Sequence, residues 1–357
     1  VVTVVQANFY WVHLSSNAHP GNREKSYLLC TRRARLKKIG QQVMVGDRVR
    51  VEEPDWEGGR AAIAAVYPRT TQLDRPPIAN VNQILLMFAL AEPDLDPQQL
   101  SRFLVKAEST GLDIVLCLNK QDLVSLETCQ HWQARLQEWG YAPMITSVRG
   151  KGSLDALTQR LKGGITVVSG PSGVGKSSLI NQLVPQATLR TSAVSGKLGR
   201  GRHTTRHVEL FELSEGGFLA DTPGFNQPDL LCSPESLGRY FPEIRQRLAT
   251  NQCQFKDCLH RDEPGCAIES DWDRYDLYLA MLEDALTQQE DNAQRREKAA
   301  AIKVKVGDRG QTRQEPLLRT KTHRRPSRRS QKQALDDLRY DLSELTERLD
   351  EPDELDD

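Results

Sequence analysis

No uninterrupted apolar run among the 357 residues reaches the ~18 needed to cross a bilayer. The amino end, VVTVVQANFYWVHLSS, is apolar, but it has no basic leader and no A-x-A cleavage site. It therefore reads as a strand and not as a signal peptide. Cysteine is scarce: Cys30, Cys117, Cys129, Cys232, Cys253, Cys258 and Cys266. An odd number with no export signal argues against a disulfide framework and for a reducing, cytoplasmic setting. Net charge is lacking too, with 48 Lys+Arg against 48 Asp+Glu. That zero conceals an asymmetry. Residues 303–332 carry 11 Lys/Arg against 2 Asp/Glu, a net of +9, and residues 333–357 carry 2 against 11, a net of −9. The blocks cancel, so overall charge excludes no class of partner.

Four regions separate by texture, and no internal repeat joins them. Residues 1–76 show apolar runs VVTVV, SYLLC, QVMVGDRVRV and AAIAAVY between short polar turns, the pattern of an all-β domain and, by its GDRVRV phrase, of an OB-like barrel. Its basic stretch TRRARLKK (Thr31–Lys38) reads as a cationic loop on the barrel rim, suited to RNA backbone, against the plainer alternative of a solvated loop. Asp74–Pro77 reads as a linker. Residues 77–226 alternate near-continuous apolar strands with helical stretches, which predicts a mostly parallel sheet covered on both faces. Residues 227–292 read as mostly helical around a Cys/His cluster. From 293 to 357 the chain is charged and poor in aromatics, the composition of a disordered tail.

The central region carries the chemistry. Gly170-Pro171-Ser172-Gly173-Val174-Gly175-Lys176-Ser177, followed by Ser178, matches G-x-x-x-x-G-K-[ST] between the strand ITVVS and the helix SSLINQLV. Glycines let the backbone wrap phosphates whose charge the amides at the helix start favour. Lys176 would neutralise the β and γ phosphates, and Ser177 would ligate Mg²⁺. The wording GPSGVGKS also resembles guanylate kinases, so a nucleotide kinase is the first rival.

Asn119-Lys120-Gln121-Asp122 argues against that rival, because N-K-x-D is the element with which GTP-binding proteins read guanine. The Asp122 carboxylate can accept from the N1–H and N2–H₂ edge of guanine, a donor pair that adenine lacks. Lys120 would lay its stem along the ring. Thr146-Ser147 ends the next strand, where GTPases set a backbone amide against guanine O6. Asp221-Thr222-Pro223-Gly224 matches D-x-x-G, with Asp221 on Mg²⁺ through water and the Gly224 amide sensing the γ-phosphate. GRGRHTTR (Gly199–Arg206) lies between as a first switch, in which Thr204 or Thr205 would reach Mg²⁺.

The base-reading elements here precede the phosphate loop, whereas GTPases ordinarily begin with it. The order is a circular permutation, which leaves every strand in the same sheet and moves only the chain ends. The second switch then runs straight into the following domain, so hydrolysis is expected to be felt there. Phe225 stands where Ras-like proteins use a water-orienting Gln. Intrinsic turnover should be slow, and His203 is the internal candidate to position water, against its alternative as an exposed loop residue.

Cys253-x4-Cys258-x-His260-x5-Cys266 supplies three thiolates and one imidazole within 14 residues. Cys₃His is a closed tetrahedral zinc set, which predicts one structural Zn²⁺ holding a small domain.

Taken together, EPDLDPQQL, AESTGLDIVLCLNKQDL, GPSGVGKSSLIN, GRGRHTTR, LADTPGF and CQFKDCLHRDEPGCAI resemble the ribosome small subunit-dependent GTPase A (RsgA) family over roughly residues 1–300. The resemblance implies a multidomain fold: an OB-like barrel, a circularly permuted P-loop GTPase and a helical zinc domain. It implies a late assembly factor that docks on the small (30S) ribosomal subunit and its rRNA, hydrolyses GTP to GDP there, and leaves, acting as a monomer with no DNA or membrane partner. The family's catalytic histidine falls on His203 and its zinc ligands on Cys253, Cys258, His260 and Cys266. Arg206 stands where the family often has a third threonine, and Thr205 is the favoured magnesium ligand. Gly173 replaces the Asn of other permuted GTPases, which leaves monovalent-ion dependence open. A GTP-dependent RNA-binding scaffold without useful turnover is the reading from another class.

Overall fold

The strand QILLMFA, β8 (Gln83–Ala89), is buried at every position, as the apolar run Ile84–Ala89 requires, and Gln83 at its start is satisfied by donating to Thr166 Oγ1 at 2.9 Å. Alternation sends Leu85 and Met87 into one core and Leu86 and Phe88 into another. The computed structural model describes residues 1–15, 26–74, 76–150, 154–184, 208–221, 232–300, 302–306 and 312–316. They fall into two compact units, Val1–Thr287 and Gln288–Asp357.

In the first unit, β1 (Val2–Gln6), β2 (Phe9–His13), β3 (Tyr27–Arg32), α1 (Ala34–Lys38), β4 (Val49–Asp55) and β5 (Arg60–Val66) come first. Their spatial order is β1-β2-β3-β5-β4, with β3 parallel to β5 and the other pairs antiparallel. Val2, Tyr10, Val12, Leu28, Cys30, Leu36, Val43 and Ile63 form their own core. The amide of Gly46 donates to Val2 O at 2.8 Å, and Val2 N–H donates to Asp47 O at 2.9 Å, bringing the run just before β4 against β1.

Two local expectations change. Thr31–Lys38 is the end of β3 and the short helix α1 instead of a loop, because Leu36 anchors that turn in the core. The segment expected as a linker is a hairpin turn between β6 (Gln72–Asp74) and β7 (Pro77–Ala79), with Asp74 paired to Pro77.

The central sheet adds β9 (Asp113–Asn119), β10 (Met144–Ile145), β11 (Ile165–Ser169), β12 (Glu209–Glu212) and β13 (Phe218–Asp221). The order β10-β9-β8-β11-β13-β12 is parallel except for β12. Helices α2 (Pro97–Glu108) and α3 (Leu126–Glu138) supply Leu100, Phe103, Leu104 and Leu136 to one face. Helices α4 (Asp155–Leu161) and α5 (Lys176–Leu183) supply Leu157, Leu161, Leu179 and Ile180 to the other. Asp96 caps α2 by accepting from Gln98 N–H at 2.9 Å, with Pro97 preset for the first turn. β12 also pairs with β1, Val4 opposite Glu209, so one hydrogen-bonded sheet of eleven strands runs through both regions.

After residue 231, helices Pro234–Leu237, Pro242–Thr250 and Tyr275–Ala300 enclose Leu237, Phe241, Ile244, Trp272, Tyr278 and Met281 together with Val105 of α2. The guanidinium of Arg274 is fully buried here. It pairs with Glu243 (Nε to Oε1 2.7 Å), donates to Ser101 Oγ at 3.3 Å, and lies 4.7 Å from the ring centres of both Trp139 and Phe241. A buried cation is tolerable only when paired and bonded in this way. In the second unit, β14 (Ile302–Val306) and β15 (Thr312–Pro316) form an antiparallel hairpin. Among the described residues no helix is long and apolar enough to cross a membrane.

Candidate nucleotide site and metal centre

β8, β9 and β11 run parallel, so their carboxyl ends open on one edge of the sheet, where ligands of open α/β sheets are held. From β11 the chain turns through Gly170–Gly175 and enters α5 at Lys176. Gly170 has φ +140°, and a Cβ there would lie 2.0 Å from Met87 O. Gly175 has φ +106°, and a Cβ there would lie 2.5 Å from Asn119 Nδ2. Both glycines are therefore fixed by backbone conformation and by close approach to β8 and β9. Lys176 donates its ammonium to the carbonyls of Gly170 (2.8 Å) and Pro171 (2.5 Å), which holds the cation against the loop. Ser177 and Ser178 stand in the first turn of α5.

Asn119, at the end of β9, is buried, and its side chain is spent on the protein itself. Its amide donates to Val174 O at 2.8 Å, and its oxygen accepts Val148 N–H at 3.0 Å. Lys120 adopts φ +64° and donates to the carbonyl of Glu92. Gln121 N–H donates to Thr146 O at 3.1 Å, and Thr146 N–H to Leu118 O at 2.8 Å, locking the ends of β9 and β10 together. Ser147 Oγ donates to the Asp122 carboxylate and accepts Gly150 N–H at 2.8 Å, so one hydroxyl orients the acid and closes the turn. Asp122 remains exposed, with acceptor capacity to spare.

These groups share one cleft of about 210 Å³ lined by Glu92, Asn119, Lys120, Asp122, Gly173 and Gly175, with Arg149 and Ser178 on its wall. An acceptor carboxylate at one end and a glycine-walled helix start at the other suit a base and its phosphates. Sequence reasoning missed Glu92 and Arg149. Both reach the cleft from turns, and neither belongs to a recognisable spacing.

Asp221 closes β13, in register with Val168 of β11 and Glu209 of β12, which sets its backbone beside the strand that feeds the phosphate loop. Thr222, Gly224, Phe225 and the stretch Gly199–Arg206, including His203, Thr204 and Thr205, lie outside the described residues.

Cys253, Cys258, His260 and Cys266 converge, their donor atoms all within 4.8 Å of one another. His260 Nδ1 lies 3.6 Å from each of the three sulfurs. Metal–sulfur and metal–nitrogen bonds of ~2.3 and ~2.0 Å at tetrahedral angles require ~3.5 Å between sulfur and nitrogen, so the donor set fits one tetrahedral ion. Ala267 N–H donates to Cys253 Sγ at 3.4 Å and Ile268 N–H to Cys266 Sγ at 3.3 Å, contacts that favour thiolates. Glu263 accepts the amides of Leu259 (3.1 Å) and Arg261 (3.0 Å) and so braces the turn that carries His260. Burial lowers the His260 pKa below the usual imidazole value and keeps the ring neutral, the form that ligates.

Comparison with known proteins agrees with this geometry. A family model described as RsgA GTPase matches residues 66–231, and one described as 50S ribosome-binding GTPase matches residues 165–302, beginning where β11 begins. The protein called small ribosomal subunit biogenesis GTPase RsgA from Trichormus variabilis is 60% identical over 353 residues, covering 94% of this chain and 95% of that one. The crystal structure of YjeQ from Thermotoga maritima is 30% identical with a TM-score of 0.63, covering 80% of this chain and 97% of its own. The crystal structure of YloQ, a circularly permuted GTPase, is 30% identical with a TM-score of 0.64, covering 80% of this chain and 95% of its own. The reversed order of base and phosphate elements, the cleft they share and the extent of these matches have one reading: this chain belongs to the RsgA family of circularly permuted GTPases.

Proposed function

We propose that this GTPase is a late assembly factor of the small ribosomal subunit that binds rRNA and hydrolyses GTP to GDP when docked there. The observation that carries the reading is the single cleft into which the N-K-x-D turn and the phosphate loop both open, stapled by Asn119. Asp122 accepts from the guanine edge, Lys120 lies along the ring, and the Thr146–Ser147 backbone faces O6. Gly170 to Ser178 wrap the phosphates, with Lys176 leaving its loop carbonyls for the β and γ oxygens. Ser177, Asp221 and Thr205 would hold Mg²⁺, whose charge offsets that of the phosphates. The Gly224 amide senses the γ-phosphate, and His203 orients the attacking water, with turnover slow until the subunit is docked.

The reading divides the chain into an OB-like barrel (1–76), the permuted GTPase (77–226), a helical zinc domain (227–292) and a charged tail (293–357). The strand order β1-β2-β3-β5-β4 with β3 parallel to β5 supports the barrel. For RNA, the exposed cations are Arg35, Lys37 and Lys38 of α1. Arg32 is engaged by Gln41 O at 2.9 Å, and Arg33 by Glu52 and Glu53. One Zn²⁺ at the Cys₃His set fastens the third domain. The family resemblance supports a cytoplasmic monomer with no DNA or membrane partner.

The test is GTP turnover by the purified chain, alone and with small or large ribosomal subunits. Strong stimulation by the small subunit alone is expected. Tight GTP binding without stimulation by either would replace this reading with the scaffold, and His203→Ala with unchanged stimulated turnover would remove His203 from the mechanism.

A further inference from the structure

The hairpin of β12 and β13 lies between the two stretches expected to answer to the γ-phosphate. GRGRHTTR ends at Arg206, two residues before Val208, and Asp221 closes β13. Glu209 stands opposite Asp221 on one side and opposite Val4 of β1 on the other. The outer edge of the hairpin is therefore occupied by the first strand of the barrel region, at the end that leads to the nucleotide. Val208 and Leu210 share a buried cluster with Val45, and Val5 of β1 packs against it.

A second hold lies three residues further along β12. Glu212 reaches past β1 to the two strands beyond it. His13 Nε2 of β2 lies 3.1 Å from its Oε1, and Tyr27 OH of β3 donates to its Oε2 at 3.2 Å. The His13 ring meets Tyr27 edge-on, with 5.0 Å between centres, and meets Phe218 of β13 in the same way at 5.4 Å. Phe218 is the residue opposite Glu212 in the hairpin. One carboxylate and three rings thus tie four strands, two from each region. A polar tie of this kind adds little stability over an apolar contact. What it adds is position, because hydrogen bonds of this length are lost on a shift of about 1 Å.

We propose that Glu212, held by His13 and Tyr27, is a positioning residue of this GTPase, which makes the β12–β13 hairpin and the barrel strands move as one body. What the barrel binds is then felt at Asp221, and the bound nucleotide is felt in the barrel. Such reciprocity is obligatory for binding free energies. The hairpin is the element that both sites bias, reached from one through the end of β13 and from the other through the bonds across β1. The inference rests on the reading that docking on the small subunit stimulates hydrolysis, and it gives that stimulation a route: barrel, then β12, then the second switch.

The test is hydrogen exchange of the full chain loaded with Mg²⁺ and either GDP or a non-hydrolysable GTP analogue. Amides of β1, β2 and β3 in the unchanged chain should differ about fivefold or more in exchange rate between the two nucleotides. Those of β4, at the far edge of the sheet, should stay within about twofold. Glu212→Ala should bring the barrel difference below about twofold, and His13→Phe should do the same with a ring kept in place. Tyr27→Phe, which loses one hydrogen bond and keeps its ring, should fall between. No difference in the unchanged chain, or one that survives all three substitutions, would overturn the proposal. A second arm is GTP turnover with small subunits. Glu212→Ala should lower the stimulated kcat about tenfold, with KM for GTP and turnover without subunits each within about twofold. An equal loss with and without subunits would make Glu212 a structural contact and also overturn the proposal. Absence of stimulation in the unchanged chain would count against the assembly-factor reading and leave the exchange comparison to decide the role of Glu212.

Discussion

Asn119 and Val174 are 55 residues apart, and the side-chain amide of the first donates to the carbonyl of the second at 2.8 Å. This bond joins the N-K-x-D turn to the G-x-x-x-x-G-K-S loop at the carboxyl edge of the sheet, so their order along the chain is immaterial to their geometry. Asn119→Ala would leave Val174 O and Val148 N–H buried without partners, at a cost of ~1–3 kcal/mol each. Affinity for GTP and GDP should fall together, by about tenfold or more. Competition against a fluorescent guanine nucleotide measures it, and a loss confined to GTP would contradict this account.

Asp122→Asn tests the direction of hydrogen bonding at the base. An amide in place of the carboxylate presents donors to the guanine N1–H and N2–H₂ edge and loses about 10²-fold or more in affinity. The same amide suits a base with a carbonyl at that edge, so affinity for the xanthine nucleotide should rise as that for guanine falls. Ser147, which orients the acid, gives a milder result: Ser147→Ala weakens guanine binding without changing the preference.

Arg274→Met would strand the Glu243 carboxylate inside a core of Trp139, Phe241 and Trp272, and breaking a buried pair this way costs ~3–5 kcal/mol. Adding Glu243→Leu removes the orphaned charge and should restore a large part of the loss. Urea unfolding of the two variants compares them. Equal destabilisation would mean that the pair itself, and not the stranded charge, carries the energy.

Removing the metal with a strong chelator should release one zinc per chain, measurable by a colorimetric dye, and lower the thermal midpoint of the region around residues 253–266. GDP affinity should stay within about twofold, because none of the four ligands lines the nucleotide cleft. Cys258→Ser should reproduce the chelated state without the chelator.

The turn and loop that share the cleft were legible because phosphate and guanine chemistry impose residue types at fixed local spacing, and the converging Cys₃His set because its four donors lie within 14 residues. What escaped is tertiary. Nothing near Glu92 indicates that its carbonyl receives Lys120, and nothing near Arg274 shows that Ser101, Trp139 and Glu243 will enclose it. The helix α1 was read as loop because five residues with one apolar anchor show no period. The turn at Asp74–Pro77 was read as a linker because consecutive prolines suggest extension, although Pro77 occupies the first position of a short strand. The OB-like reading of the first strands came from phrases such as GDRVRV, yet the strand-to-strand bond from β1 to β12 has no local signature at all.

That bond has a consequence in time. Val4 of β1 is made about 205 residues before Glu209, its partner on β12. At ~5–20 residues per second, synthesis leaves the edge of β1 without its partner for ~10–40 s after it emerges. During that interval the nascent chain presents an open strand edge of the kind that templates association between chains. The exposed ring of Phe9 and the indole of Trp11, on β2 at the opposite edge of β1, add apolar surface to the same unfinished sheet. Slower translation before residue 209 should therefore lower the soluble yield of this protein more than slowing after it.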